Sequence, residues 1–255
     1  ENGLFFFDAK KAGKAIRFIE TFCRHHEGAL APQLIRLELW QKAFISVVFG
    51  ILDESGARQF REIVCIIARK NGKTLFAAAI AEYCTFLDGE YGARIYFAAP
   101  KLEQAALCYD AYYQMIDKDL ELSAMAKKRR SDVYISESNS SARPMAFSAK
   151  KSDGLNISLC VADEIASWPG DQGLKFYEVI KSSFGARRQP LKAFGCVIAV
   201  EGVSPHNTGY IHLNIPARRN FGPFFTREDI YAAVAGIFRY PMGGGGNPQP
   251  QRAGN

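Results

Sequence analysis

The sequence has no long apolar run, and this excludes a membrane-spanning helix of the usual kind. A membrane span needs roughly 18–20 consecutive apolar residues, and no stretch of the 255-residue chain reaches that length. Residues 1–10 contain three consecutive phenylalanines but neither a basic start nor a long apolar stretch, so they lack the pattern of a signal peptide. The sequence therefore predicts a protein that has no membrane partner.

Closely spaced cysteines and metal-binding histidine patterns are also missing, which argues against a structural zinc site. The chain has six cysteines and four histidines, and no two cysteines form a CxxC pair. Cys65, Cys160 and Cys196 lie inside apolar, strand-like runs, where a thiol behaves as a small hydrophobic group. We expect all six cysteines to be reduced, as is usual inside cells.

The positive charge of the chain is modest. A net charge of +6 permits a polyanionic partner without demonstrating one. The clearest cluster of cations is Lys127–Arg130. Such a run is either a solvated loop or a phosphate contact, and the sequence does not choose between them.

From residue 62 onward, short apolar runs alternate with helical patterns. The predicted strands are Glu62–Ile67, Arg94–Ala98, Ile157–Ala162 and Phe194–Val200, with shorter candidates at Val133–Ile135 and Pro144–Phe147 around a turn at Ser138–Ser141. The predicted helices are Lys10–His26, Lys73–Leu87, Leu102–Ile116, Leu174–Phe184 and Thr226–Phe238. Fully apolar strands alternating with helices predict an α/β fold, with a central, mainly parallel sheet flanked by helices. Ligands of such sheets bind at the carboxyl ends of the strands.

A phosphate-binding loop is predicted at Ala68–Thr74, between a strand and a helix. The loop comprises Ala68, Arg69, Lys70, Asn71, Gly72, Lys73 and Thr74. Gly72 allows backbone N–H groups to point at phosphate oxygens. Lys73 is placed to reach the β- and γ-phosphates of ATP, and the Thr74 hydroxyl is placed to bind Mg²⁺. Ile67 stands where the usual pattern begins with glycine.

Two carboxylates, Asp163 and Glu164, follow a largely apolar strand. On a strand beside the phosphate-loop strand they would meet the phosphates, Asp163 holding Mg²⁺ and Glu164 polarising the attacking water. Like charges placed together are costly unless a cation offsets them, and Mg²⁺ would do so. The alternative is a strand that ends in a polar turn.

These motifs resemble the ATPase domain of large terminase subunits of tailed bacteriophages, of the HK97-like type. The resemblance runs over about residues 3–200. It is carried by the phosphate loop, the Asp163–Glu164 strand and four further segments: Leu39–Gln41, Ala98–Ala105, Asp153–Asn156 and Gly185–Pro190. It implies a P-loop ATPase that uses ATP and Mg²⁺. By the same resemblance, Gln41 contacts adenine and Arg69 acts near the γ-phosphate.

The resemblance also implies a motor at the procapsid in the host cell cytoplasm, which translocates double-stranded DNA inward. Its partners would be the portal protein, the small terminase subunit and neighbouring copies in a ring, with a monomer expected in isolation. A neighbour would supply a trans-acting arginine, for which the candidates are Arg143, Arg187 and Arg188. Two other functions stay open: a helicase-like nucleic-acid translocase, and a nucleotide-binding assembly module with negligible turnover.

The predicted organisation has four parts. Residues 1–60 form a helical segment with the adenine element, 61–202 the P-loop core, 203–240 a C-terminal extension, and 241–255 a disordered Gly/Pro-rich tail.

Relatives carry a hydroxyl-rich coupling motif where this chain has Val200–Gly202, and they continue into a nuclease. A two-metal nuclease needs clustered carboxylates. After Val200 this chain has only Glu201, Glu228 and Asp229, so no nuclease activity is expected from it.

Overall fold

A computed structural model describes residues 5–60, 62–67, 72–147, 155–162, 168, 170–183, 191–192 and 210–215. The helices are α1 (Ala9–Phe22), α2 (Leu39–Gly50), α3 (Lys73–Phe86), α4 (Leu102–Asp117), α5 (Leu120–Met125) and α6 (Gly170–Ser182). The strands are β1 (Phe5–Phe7), β2 (Ile51–Asp53), β3 (Glu62–Ile67), β4 (Arg94–Ala99), β5 (Ala126–Lys128), β6 (Val133–Ile135), β7 (Ser140–Ala146), β8 (Leu159–Ala162), β9 (Leu191–Lys192) and β10 (Tyr210–Ile215). Within the described ranges, no helix is both long and apolar enough to cross a membrane.

The centre of the protein is an eight-stranded sheet in the order β10-β3-β9-β8-β4-β7-β6-β5. The six strands from β10 to β7 run parallel to one another. The last two, β6 and β5, are antiparallel additions at one end. The predicted α/β fold with a mainly parallel sheet is therefore confirmed.

Strand β4 shows why the central strands have no polar face. Ile95 and Phe97 point into the larger core, which α3 and α4 share with the N-terminal helices. Tyr96 and Ala98 point to the other side, into a smaller core with Phe176 of α6. Alternate residues of a strand face opposite sides of the sheet. Because both sides are covered by helices, both sets of side chains are apolar.

The N-terminal helices form a layer on α3. The carboxylate of Asp8 caps α1 by accepting hydrogen bonds from the backbone N–H groups of Lys10 and Lys11. Helix α1 packs mainly on α2 and also on α3, where Phe18 meets Tyr83 edge to face with ring centroids 5.7 Å apart. The helix ends at Phe22, four residues before the predicted end.

Several elements differ from the sequence prediction in their bounds. Strand β7 begins at Ser140 and contains Pro144, whereas the strand was predicted to begin at that proline. Strand β6 pairs only with Ser140 to Ala142, so Pro144 lies where β7 has no neighbour on that side and its missing N–H costs no ladder bond. Helix α6 begins four residues earlier than predicted.

Seven elements were not predicted, α2 and β10 among them, and three predictions cannot be compared. Helix α2 forms where the pattern was mixed, and β10 forms in the predicted C-terminal extension, where it pairs with β3. The predicted strand Phe194–Val200 and helix Thr226–Phe238 lie outside the described residues, as do residues 241–255. The five cysteines within the described residues are buried and form no disulfide bond; they are Cys23, Cys65, Cys84, Cys108 and Cys160.

Candidate nucleotide-binding site

One edge of the sheet gathers the segments that the sequence analysis selected. Strands β3 and β8 are parallel members of the same sheet, so their last residues, Ile67 and Ala162, lie toward the same edge. Of the predicted loop, the structure describes Gly72, Lys73 and Thr74. The other four loop residues, Ala68, Arg69, Lys70 and Asn71, lie outside the described residues, as do Asp163 and Glu164.

The sequence argument placed the acidic strand directly beside the phosphate-loop strand, and this was wrong. Strand β9 lies between them, pairing with β3 on one side and β8 on the other. Because neighbouring strands are about 4.8 Å apart, the axes of β3 and β8 are separated by roughly 10 Å. The order of segments along a chain does not fix their order across a sheet, since a crossover can skip a position.

The register shows how far each strand reaches toward this edge. Cys160 of β8 is level with Lys192 of β9, which is level with Glu62 of β3. Ala162, the last residue of β8, is therefore level with Val64. Strand β3 continues three residues beyond that level, to Ile67, which is roughly 10 Å at the usual rise per residue. The carboxyl ends of the two strands are therefore not level, because β3 extends three residues beyond the last residue of β8.

Gly72 determines how the chain enters α3. It precedes the helix with φ 71° and ψ 22°, a left-handed conformation that residues with a Cβ adopt at a cost. A Cβ built on Gly72 would meet no atom within 4 Å. The requirement for glycine is thus one of backbone conformation and not of space.

The first turn of α3 suits a phosphate group. The amide of Phe76 donates to the carbonyl oxygen of Gly72 at 2.9 Å and so closes the first helical hydrogen bond. The amides before it cannot be satisfied within the helix, and Gly72 has no side chain to cap them. Such amides, together with the positive end of the helix, favour an anion.

Lys73 and Thr74 lie on this first turn and are both half-buried. The carbonyl of Thr74 accepts a weak hydrogen bond from the Cys108 thiol of α4, at 3.7 Å. The Thr74 hydroxyl is a hard oxygen donor of the kind that Mg²⁺ prefers. Within the described residues no group of three or more His, Cys, Asp or Glu side chains could hold a metal ion. The predicted carboxylate ligand, Asp163, lies outside that set.

Gln41 has a structural role that the sequence analysis missed. It is the third residue of α2, and its side-chain oxygen accepts a hydrogen bond of 2.8 Å from the backbone N–H of Glu38. The Glu38 side chain in turn accepts from the backbone of Gln41, which completes a capping box. The spacing Glu38-x-x-Gln41 was the available signal. The amide group of Gln41 keeps its two N–H donors and a second lone pair for other partners.

An aromatic contact joins the predicted adenine element to the phosphate-loop helix. Trp40, next to Gln41, meets Phe76 of α3 edge to face, with ring centroids 5.4 Å apart. Phe76 is buried and also contacts Phe44 of α2 at 5.4 Å. The start of α2 is thereby held beside the first turns of α3.

Of the three candidate trans-acting arginines, the structure describes Arg143. It lies on β7, is exposed, and stands over the ring of Tyr96 at 4.9 Å from the ring centroid. Its guanidinium donates a long hydrogen bond of 3.4 Å to the Tyr96 hydroxyl. Arg187 and Arg188 lie outside the described residues.

Comparison with known proteins identifies a family. The family described as "Terminase large subunit, ATPase domain" matches residues 39–209. The large terminase subunit of Enterobacteria phage HK97 is 30% identical over 181 residues, which covers 70% of this chain and 35% of that protein. The crystal structure of the HK97 bacteriophage large terminase matches with a TM-score of 0.61 and 25% identity, over 73% of this chain and 37% of that one.

A weaker match is the large terminase of a thermophilic bacteriophage in complex with ADP, with a TM-score of 0.42 and 14% identity over 54% of this chain and 33% of that one. This chain spans about a third of the length of the HK97 relative. The family match begins at Leu39, the first residue of α2, and includes Gln41, Gly72–Thr74 and β8. The chain belongs to the family of terminase large subunit ATPase domains.

Proposed function

We propose that this chain hydrolyses ATP and that, in the whole protein, hydrolysis drives double-stranded DNA into a viral procapsid. The observation that carries the proposal is the left-handed Gly72 at the start of α3, on the carboxyl edge of a parallel sheet. That arrangement supports an anion site in a chain that belongs to this family. A Lys and a Thr follow Gly72 directly, as phosphate and Mg²⁺ binding requires.

In the proposed site, each residue has one role. Residues 68–72 surround the phosphates with backbone amides, Lys73 binds the β- and γ-phosphates, and Arg69 stabilises charge that develops at the γ-phosphate. Thr74 and Asp163 hold Mg²⁺, which when bound offsets the charge of the phosphates. Glu164 orients the attacking water.

Gln41 is proposed to bind adenine. Its position beside α3, fixed by the contact between Trp40 and Phe76, supports this role. The amide group of glutamine presents a donor and an acceptor side by side, which complements the edge of adenine that carries an amino group and a ring nitrogen. The capping bond to Glu38 would hold the side chain in place before the nucleotide arrives.

The partners of the whole protein are also proposals. They comprise the portal protein, the small terminase subunit and identical neighbours in a ring on the procapsid in the host cytoplasm. A trans-acting arginine would come from a neighbour, and exposed Arg143 is one candidate beside Arg187 and Arg188. Because an isolated chain lacks that arginine, we expect its turnover to be low and to rise with protein concentration.

The first experiment measures phosphate release from ATP and Mg²⁺ by the wild type, Lys73→Ala and Glu164→Gln. We expect both variants to lose turnover, while Glu164→Gln still binds ATP because it keeps the phosphate contacts. Lys10→Ala is the matched control, since Lys10 is an exposed lysine on α1. A Lys73→Ala variant with wild-type turnover would refute the proposed site.

One residue favours a second function, a nucleotide-binding assembly module with negligible turnover. Ile67 stands where the phosphate loop usually begins with glycine, and a branched side chain there restricts the backbone. ATP binding without phosphate release, at high protein concentration and with DNA present, would favour this module. Strand displacement without a capsid would instead favour a helicase-like translocase.

A further inference from the structure

The tertiary structure divides the cationic run Lys127–Arg130 between the two sides of the sheet. Lys128 lies on the α4 side, where its ammonium group is 4.3 Å from the ring centroid of Tyr109 and 3.9 Å from that of Tyr113. It also donates a hydrogen bond of 2.8 Å to the Tyr109 hydroxyl. Since side chains alternate along β5, Lys127 points to the opposite side. Lys128 is thus held by this pair of tyrosines, and Lys127 is not.

The side that Lys127 faces carries further cations on neighbouring strands. Lys127 is the register partner of Tyr134 on β6, and the guanidinium of Arg129 stands over the Tyr134 ring at 4.3 Å. On β7, Arg143 stands over Tyr96 of β4 in the same manner. Two arginine–tyrosine pairs and one lysine thus lie on one side of four adjacent strands, β4, β7, β6 and β5. Arg130 stands at the tip of the following turn.

Lys127, Arg129 and Arg143 on this side, together with Arg130 in the adjoining turn, form what we call the cationic face, and all four are exposed. Arg129 forms a two-pronged ion pair with Asp132. The other three have no acidic partner among the described residues. Within the part of the chain that the structure describes, the face therefore keeps uncompensated positive charge. The tyrosine rings hold two of the guanidinium groups in place, which lowers the entropy lost when an anion binds them.

The spacing of the cationic face suits an extended polyanion. From the strand register, Lys127 and Arg143 are two strands and two residues apart, which is about 12 Å at standard sheet dimensions. Double-stranded DNA carries one negative charge per roughly 1.7 Å of its axis, so a cation at each of these positions would meet a phosphate. Within the described residues no helix projects from this part of the sheet into a groove, so the contact would be to the backbone and independent of sequence.

We propose that the cationic face binds the phosphate backbone of double-stranded DNA. The choice of DNA as the anion rests on the proposed function. A second copy of this chain is the less suitable occupant because it too carries an excess of cations, with 32 Lys and Arg against 26 Asp and Glu. The face lies across the sheet from α3 and α4, so it can hold DNA without covering the predicted phosphate loop.

The test compares DNA affinity across a salt series for the wild type and a double variant, Lys127→Ala with Arg130→Ala. Binding of a short labelled duplex is followed by fluorescence anisotropy without nucleotide. The slope of log affinity against log salt should fall by roughly one per cation removed, and the affinity should fall several-fold at low salt. The matched control is Lys10→Ala with Arg17→Ala, which removes two exposed cations from α1. ATP turnover without DNA should be unchanged in both double variants.

Three outcomes would overturn the proposal: no duplex binding by the wild type, equal slopes for wild type and cationic-face variant, or an equal loss in the control. A fourth outcome would also overturn it: the cationic-face variant changes its sedimenting mass but keeps its DNA affinity. That result would assign the face to contact with a neighbouring copy. The hydrolysis part of the proposed function is tested separately, because Lys73→Ala and Glu164→Gln report on phosphate release in the absence of DNA.

Discussion

The thiol of Cys23 donates a hydrogen bond of 2.9 Å to a carboxyl oxygen of Glu82, and both side chains are fully buried. Glu82 lies on α3, the helix that begins at the predicted phosphate loop, and Cys23 directly follows α1. The other carboxyl oxygen of Glu82 is buried and accepts no hydrogen bond. Burial therefore raises the pKa of Glu82 to about 8, with the hydrogen bond from Cys23 opposing the shift and Asp119 adding to it.

Glu82→Gln is expected to change how stability depends on pH. The folded protein keeps the Glu82 proton up to a pKa of about 8, whereas the ordinary pKa is 4.5. Between these values the folded state binds more protons than the unfolded state, so this residue lowers the free energy of unfolding as pH rises, at roughly 1.4 kcal/mol per unit. Glutamine does not titrate. The difference in free energy of unfolding between the variant and the wild type should therefore grow in favour of the variant from about pH 5 to pH 8. Above pH 8 the difference should stay constant.

Urea unfolding at a series of pH values measures this difference. Glu103→Gln is the matched control, because Glu103 is an exposed glutamate in the first turn of α4. If the wild type and Glu82→Gln lose stability in parallel with rising pH, the carboxyl group is ionised in the folded protein and the assignment is wrong.

Trp40→Leu is expected to weaken ATP binding more than it lowers the rate of hydrolysis. The substitution removes the ring that Phe76 contacts and loosens the start of α2 against α3. Phe18→Leu is the matched control. Phe18 of α1 contacts Tyr83, which lies on α3 farther from the predicted phosphate loop than Phe76 does. Both should lower the free energy of unfolding by about 1–3 kcal/mol. Equal KM values for ATP in the two variants would show that the contact of Trp40 has no part in placing the nucleotide.

Gln41→Ala should reduce the preference for ATP over GTP, because it removes the side chain proposed to contact the base. It also breaks the capping box of α2, which costs about 1 kcal/mol of stability. Glu38→Ala breaks the same box from its other half without touching the base-binding group. Competition between the two nucleotides, measured alongside thermal unfolding, separates the two roles. The same loss of preference in both variants would assign Gln41 to the cap alone.

Gly72→Ala should lower ATP affinity, because alanine disfavours the left-handed backbone that opens the first turn of α3. Gly56 is a suitable control: it has φ 74°, compared with 71° for Gly72, and a Cβ on either would meet nothing within 4 Å. Both alanine variants should lose about 1–2 kcal/mol of stability. ATP affinity, measured by calorimetry, should fall only in Gly72→Ala. Unchanged affinity in that variant would mean that the phosphates are held elsewhere.

The elements around the predicted site were predicted with different success, and the physical reasons differ. Strands β3, β4 and β8 were recognisable because nearly every position in them is apolar, as expected of strands covered on both faces, and this pattern is local. Helix α2 was missed because it is apolar almost all round, so no polar face marks its period. Strand β10 has an aliphatic residue at every second position, a strand pattern that the sequence analysis overlooked. Its place beside β3 depends on a partner far away in the chain.

The sequence by itself determined that the fold is α/β, that a glycine precedes α3, and that the predicted phosphate loop follows a strand, since these depend on residues close together in the chain. Only the tertiary structure decided that β9 separates β3 from β8, that Trp40 contacts Phe76, and that Lys127 and Lys128 face opposite sides of the sheet. Each of these depends on which distant segments become neighbours. That choice is made by packing of the whole sheet and its helices, so no local pattern records it.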